Sequence, residues 1–262
     1  MELQHERRGS GSPLVLVHGL GGSRHSFDRI VPDLATQREV VLLDLPGFGG
    51  TPPLAGEPSV AALTDAVAGF LTDHDLTGAD LVGSSLGARM VLEMARRGIG
   101  RHVVALDPGG FWNDRELRVF SASLRASVAL VRGLRPALPT LLGNPVGRTA
   151  LLAQFSARPW AVPAATAINE VAGLADAPGT DATLRALVDG PRQAGAPAAT
   201  APGRLVIGWG RRDLVTVPAQ AARAAGRFPD ARLHWFERCG HFPQWDAPAE
   251  ATRVILEATV AA

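Results

Sequence analysis

The sequence predicts a doubly wound α/β fold: a mostly parallel sheet flanked by helices, with a helical cap inserted. Three observations lead there. Short apolar runs alternate with longer helical patterns over most of the 262 residues, as in strand–helix–strand units joined by right-handed crossovers. Several runs are apolar on both faces, as in Val40-Val41-Leu42-Leu43, which suits strands covered on both sides. From 111 to 202 the alternation stops, and the chain reads as helices punctuated by Pro and Gly.

The elements follow in order. Leu14-Val15-Leu16-Val17 makes 13–18 a strand, and the Val-Leu run makes 39–44 the next, with a helix at 26–35 between them. A helical pattern at 60–73 precedes a strand at 79–84; a helix at 87–97 precedes a strand at 102–107. In the insertion, 113–132, 150–155, 164–174 and 180–188 are the expected helices. Arg135-Pro136, Leu138-Pro139, Asn144-Pro145, Arg158-Pro159 and Pro178-Gly179 mark breaks. An Ala- and Pro-rich stretch, 195–202, leads back to strands at 204–209 and 232–236, with helices at 218–227 and 248–260. The expected division is a core of 1–110 and 203–262 and a cap of 111–202.

Charge is balanced, with 26 basic and 25 acidic residues, so nothing steers the chain toward nucleic acid or anionic lipid. The basic residues are all arginine and tyrosine is missing; with the alanine richness, this reads as coding bias. The single Cys239 cannot form an internal disulfide, which fits a reducing compartment. The polar start Met1-Glu2-Leu3-Gln4-His5-Glu6 lacks a signal-peptide core, and no segment approaches about 18 uninterrupted apolar residues. A cytoplasmic protein with a small-molecule substrate is expected, with neither membrane nor nucleic acid as partner.

The most informative motif is Gly83-Ser84-Ser85-Leu86-Gly87, at the exit of a strand and the entry to a helix. A serine is a good nucleophile only when its hydroxyl stands clear of the backbone, facing a base and a hole for negative charge. A sharp strand-to-helix turn does this, and it crowds the positions two residues either side so that glycine is wanted there. A chance match is expected roughly 0.1 times in a chain this rich in glycine, so the flanking strand and helix matter. The glycines fix the frame on Ser85; Ser84 has Val82 and Leu86 where glycine would be needed.

A serine needs a base, and the base an orienting acid, in the chain order Ser, Asp or Glu, His for this kind of turn. Of seven histidines, only His241 lies on a loop after the last strand with glycine beside it. Asp213 follows the strand before that one, so both fall on the sheet edge where Ser85 emerges. Asp107 also follows a strand and rivals Asp213; Asp246 lies close after His241 and reads as solvated or capping. His18 ends a strand and reads as structural or hole-shaping. For the oxyanion hole, the Leu86 N–H opens a helix, and the Leu20 N–H sits in the glycine-rich turn His18-Gly19-Leu20-Gly21-Gly22. Cys239 reads as a small buried residue.

His18-Gly19-Leu20-Gly21-Gly22, Asp44-Leu45-Pro46-Gly47-Phe48-Gly49, the Ser85 motif, Trp209-Gly210-Arg211-Arg212-Asp213 and Gly240-His241-Phe242 together resemble the α/β-hydrolase fold family across nearly the whole chain. The chain departs from the family at its start, where members usually have more sheet: at most one short strand, near 3–7, fits before the strand at 13, so a sheet of about seven strands is expected. The resemblance implies Ser85, Asp213 and His241 as a catalytic triad, and Asp44 to Gly49 as a turn that shapes the site. A serine at the elbow, where dehalogenases and epoxide hydrolases of this family carry aspartate, argues against those activities. The activity expected is that of a carboxylesterase-like serine hydrolase without cofactor. It would cleave an ester, thioester or lactone of a mainly apolar small molecule through an acyl-enzyme on Ser85. Carbon–carbon bond hydrolysis of a diketone-like substrate uses the same residues and is an alternative, as is a receptor-type member that keeps the fold. Phe111, Trp112, Phe155, Trp160 and Phe242 are the expected pocket lining. No metal is expected, since no two histidines stand at i, i+4 and the one cysteine has no partner.

Overall fold

Seven strands form one sheet, in the spatial order β1-β3-β2-β4-β5-β6-β7. They are β1 (His5–Arg8), β2 (Pro13–Val17), β3 (Glu39–Leu43), β4 (Asp80–Ser84), β5 (Val103–Leu106), β6 (Leu205–Gly210) and β7 (Ala231–Phe236). The edge strand β1 is antiparallel to β3; every other neighbouring pair is parallel. This is a computed structural model, and it describes residues 1–259.

The continuous apolar runs are explained by two cores. Val15, Val17, Val41, Leu43, Leu81, Val103 and Ile207 point into one; Leu14, Leu16, Val40, Leu42, Val82, Val104 and Val206 point into the other. Successive side chains of a strand face opposite sides, so a strand covered twice needs apolar residues at every position. The first face is covered by α2 (Val60–Asp73), α3 (Leu86–Arg96) and α9 (Ala219–Arg227); the second by α1 (Val31–Leu34) and α11 (Pro248–Thr259). Between β5 and β6 lie α4 (Asp114–Gly133), α5 (Leu138–Gly143), α6 (Pro145–Leu152), α7 (Ala164–Asp176) and α8 (Thr180–Asp189). Four of these helices share a separate cluster that includes Val131, Leu142, Leu152 and Val171. Trp245, on the short α10 (Pro243–Asp246) after β7, joins that cluster and so ties the insertion to the sheet. No helix among the described residues is long and apolar enough to cross a membrane.

The elements that differ from expectation share one cause. The helix expected over 26–35 is a 3-10 turn, Arg24–Phe27, followed by the separate α1 with Pro32 in its first turn. Helix α5, read as a break, begins around Pro139, and the helix expected at 150–155 starts earlier, at Pro145, with Asn144 capping the Val146 N–H. Pro243 likewise opens α10. Proline stops a helix only from inside; in the first turn its missing N–H has no intrahelical acceptor to lose. Val260 of the last expected helix lies outside the described residues.

Asp80 begins β4, the strand that carries the serine, and it is fully buried. It accepts from the Arg101 guanidinium at 2.9 Å and from the His102 N–H at 3.1 Å, and it pairs with the buried Arg38. Removing one partner of a buried pair leaves an uncompensated charge. Asp80→Ala is therefore expected to lower stability by about 3–5 kcal/mol, read as a lower urea midpoint, while Arg7→Ala at the exposed Arg7–Glu39 pair changes it by less than about 1 kcal/mol.

Candidate active site

The turn from β4 into α3 holds Ser85 at φ 56° and ψ −111°, a backbone conformation that costs a non-glycine residue on the order of 1–3 kcal/mol. The crowding around it is measurable. A Cβ on Gly83 would lie 2.2 Å from the Gly87 carbonyl oxygen, and one on Gly87 would lie 2.1 Å from the Val17 carbonyl oxygen. A Cβ on Gly19 would lie 3.0 Å from the Ser85 Cβ, so the turn after β2 rests directly on the serine. Ser84 faces away, buried, where its hydroxyl accepts from Gln244 Nε2 at 3.0 Å.

Because β4, β6 and β7 are parallel, the loops at their C-terminal ends meet on one rim. The Ser85 hydroxyl lies 2.8 Å from His241 Nε2, and His241 Nδ1 lies 2.8 Å from Asp213 Oδ2. Asp213 also accepts from the N–H groups of Val215 and Thr216 and from the Thr216 hydroxyl. With an acceptor on Nδ1, the proton sits there and Nε2 is left free to take one from the serine. His241 is anchored by its own N–H, which donates to the Phe155 carbonyl at 2.9 Å. Asp246, expected to be solvated or capping, is buried and acts as a hub. Its carboxylate takes the N–H groups of Gly240 and Ala157 and the Ser156 hydroxyl, joining the His241 loop to the helical insertion.

Asp107 lies behind this chain, wholly buried, with one oxygen accepting the Gly210 N–H at 2.7 Å and the other without a partner. Ligand atoms of Asp107, Asp213 and His241 fall within 4.8 Å of one another. Two buried carboxylates so close repel one another. Burial, and then the Asp213 charge, accordingly push the Asp107 carboxyl well above the usual range. The carboxyl hydrogen-bonded to His241 is that of Asp213. A cation among the three would have to displace the His241–Asp213 hydrogen bond.

Beneath the serine, His18 is buried and accepts the Leu45 N–H at 2.9 Å on Nε2, while Nδ1 donates to the Gly19 carbonyl at 2.7 Å. The ring thus fixes the turn that carries Leu20. Asp44 shapes the next turn, taking the N–H groups of Arg24 and Gly50. Cys239 is buried, and burial pushes its thiol well up from the ordinary value. Among the described residues, the N–H groups of Leu20 and Leu86 donate no hydrogen bond. Leu86 is the chain neighbour of Ser85, and Leu20 follows Gly19, on which a Cβ would lie 3.0 Å from the Ser85 Cβ.

Ser85 and His241 open into a cavity walled by aliphatic and aromatic side chains, Leu20, Phe155 and Phe242 among them. Three of the expected lining residues lie elsewhere. Phe111 is packed edge-on against Trp209 and Phe228 in the core. Trp112 stacks on Phe120 beneath the Arg89 guanidinium. Trp160 is 54% exposed on the surface. Phe120, Leu124, Glu170 and Trp245 line the wall instead. The apolar spacing of Phe120 and Leu124 was visible as a helix stripe, but the side on which that stripe meets Ser85 is set by tertiary packing.

The sequence profile of the alpha/beta hydrolase family matches residues 14–254. The chain belongs to that family. A dihydrolipoyllysine-residue acetyltransferase component of the acetoin cleaving system of Pseudomonas putida is 28% identical over 254 residues, 94% of this chain and 63% of that protein. The chain thus spans under two thirds of that relative's length. Among solved structures, the enol-lactonase of Burkholderia xenovorans LB400 is similar with a TM-score of 0.77 at 18% identity, over 97% of this chain and 95% of that one. A meta-cleavage product hydrolase of Pseudomonas fluorescens IP01 is similar with a TM-score of 0.73 at 23% identity, over 97% and 93%. At these identities the two structures share the fold.

Burial brings the His18 pKa down to about 4, against a smaller opposing effect of the Gly19 carbonyl. An unfolded histidine takes its proton near pH 6.5, so the neutral native ring contributes stability that is complete above about 6.5 and lost as pH falls toward about 4. The loss amounts to about 3 kcal/mol. Urea unfolding of the parent and His18→Asn from pH 7.5 to 4.5 checks this. The difference between them should shrink steadily on acidification.

Proposed function

We propose that this protein is a cofactor-free serine hydrolase whose nucleophile is Ser85. The observation that carries the proposal is the unbroken hydrogen-bond chain from Ser85 through His241 to Asp213, with two unpartnered amides beside the serine. In this reading His241 Nε2 takes the Ser85 proton as the oxygen attacks an acyl carbon, and Asp213 stabilises the resulting imidazolium. The Leu20 and Leu86 N–H groups hold the oxyanion, the second reinforced by the N-terminus of α3. His241 then returns the proton to the leaving group. A water deprotonated by the same nitrogen releases the acyl-enzyme.

The substrate class follows from the wall. A largely apolar cavity over the serine favours an ester, thioester or lactone with an apolar group, held beneath helices α4 to α8 acting as a lid. The enol-lactonase that shares the fold acts on such a bond.

The reading predicts stoichiometric labelling by a fluorophosphonate, abolished in Ser85→Ala, with nitrophenyl ester turnover in that variant reduced by at least about 10⁴-fold. An unlabelled parent protein would remove it in favour of a receptor. Asp213→Asn should cost about 10³–10⁴ in kcat, whereas Asp107→Asn, at a carboxyl that makes no hydrogen bond to His241, should change kcat by less than about threefold. The ratio of the two kcat values decides which carboxyl serves His241.

A further inference from the structure

One charged side chain stands among the carbon walls of the cavity. Glu170, on α7, lines the same space as Ser85 and His241, opposite walls built from Phe120, Phe155, Phe242 and Trp245. The rest of the wall offers almost nothing to pair with it. Among the described residues, the polar groups that act on it are the Ser26 hydroxyl and the carboxylate of Asp28, which is itself engaged with His25. A half-buried carboxyl among apolar walls and without a counterion carries a desolvation cost, which a purely apolar ligand leaves in place. A leucine at this position would line the cavity without it.

We propose that Glu170 selects substrates that carry a hydroxyl group on the portion held in the cavity, with the hydroxyl donating to the Glu170 carboxyl. The proposal rests on the serine-hydrolase reading and specifies its substrate. A second feature favours a hydroxyl over an ammonium group. Trp245, also on the wall, is 3% exposed, and its indole N–H has no partner. The wall residues thus include an acceptor in Glu170 and, in Trp245, a donor without a partner among the described residues. A hydroxyl both donates and accepts, whereas an ammonium only donates. Burial pushes the Glu170 pKa up to about 7, with the Ser26 hydroxyl opposing and the Asp28 charge adding to it. A carboxyl that titrates there is not fully ionised near neutral pH and can meet a neutral hydroxyl without a counterion.

The test uses nitrophenyl esters of increasing chain length, each ω-hydroxyacyl ester paired with the acyl ester that has a methyl in place of the hydroxyl. In the parent protein, at least one pair should favour the hydroxylated ester by about tenfold or more in kcat/KM. The gain should fall mainly on KM, because the contact is remote from the reacting carbonyl. Glu170→Leu should reverse that preference, and Glu170→Gln, whose amide oxygen still accepts, should keep most of it. Equal preferences in the parent and Glu170→Leu would overturn the proposal, and so would a stronger preference for the matching ω-ammonium ester. Fluorophosphonate labelling of each variant separates the two readings: normal labelling with unaltered ester preference sinks the role of Glu170 alone, while absent labelling of the parent sinks the hydrolase reading beneath it.

Discussion

The site depends on one hydrogen bond between residues 156 positions apart in sequence, Ser85 Oγ to His241 Nε2. Neither side chain reaches the other by local structure. The serine is lifted out by a strained turn, and the histidine arrives on the loop after the last strand. What brings them together is that β4, β6 and β7 run parallel in adjacent register, so their C-terminal ends fall along one edge. Ligands in open α/β sheets gather at that edge for the same reason. The strain at Ser85 is sustained because Gly83, Gly87 and Gly19 let three stretches of backbone approach where a single Cβ would collide.

Rigidity on the histidine side comes from an unexpected direction. Its loop is fastened to the helical insertion as well as to the sheet, through the Phe155 carbonyl and the Asp246 carboxylate. Residues that cover the cavity and the residue proposed as base are therefore held by the same bonds. Movement of the insertion that uncovers the cavity must either leave the Phe155–Ala157 segment in place or disturb His241.

Most of the fold was legible because its signals are local. The double-faced strands announce themselves, since two cores demand apolar residues at successive positions. The serine turn is legible because glycine is the one residue that fits beside it. Where reading failed, the deciding contact was distant. Pro32, Pro139, Pro145 and Pro243 were ambiguous between stopping and starting a helix, and only the surrounding packing chooses. Trp112 and Trp160 look alike as apolar residues of the insertion, yet one stacks on Phe120 and the other faces solvent. Asp107 and Asp213 were likewise both placed to serve the histidine. The hydrogen bond to Nδ1 separates them, and with it the burial and the Asp213 charge that raise the Asp107 carboxyl.

The most direct measurement is rapid-quench mass spectrometry of the intact protein turning over nitrophenyl butanoate. The account predicts a pre-steady-state burst of nitrophenolate matched, mole for mole, by a protein heavier by one butanoyl group, located on the peptide that contains Ser85. A burst without that adduct, or an acyl group found on any other residue, would contradict it.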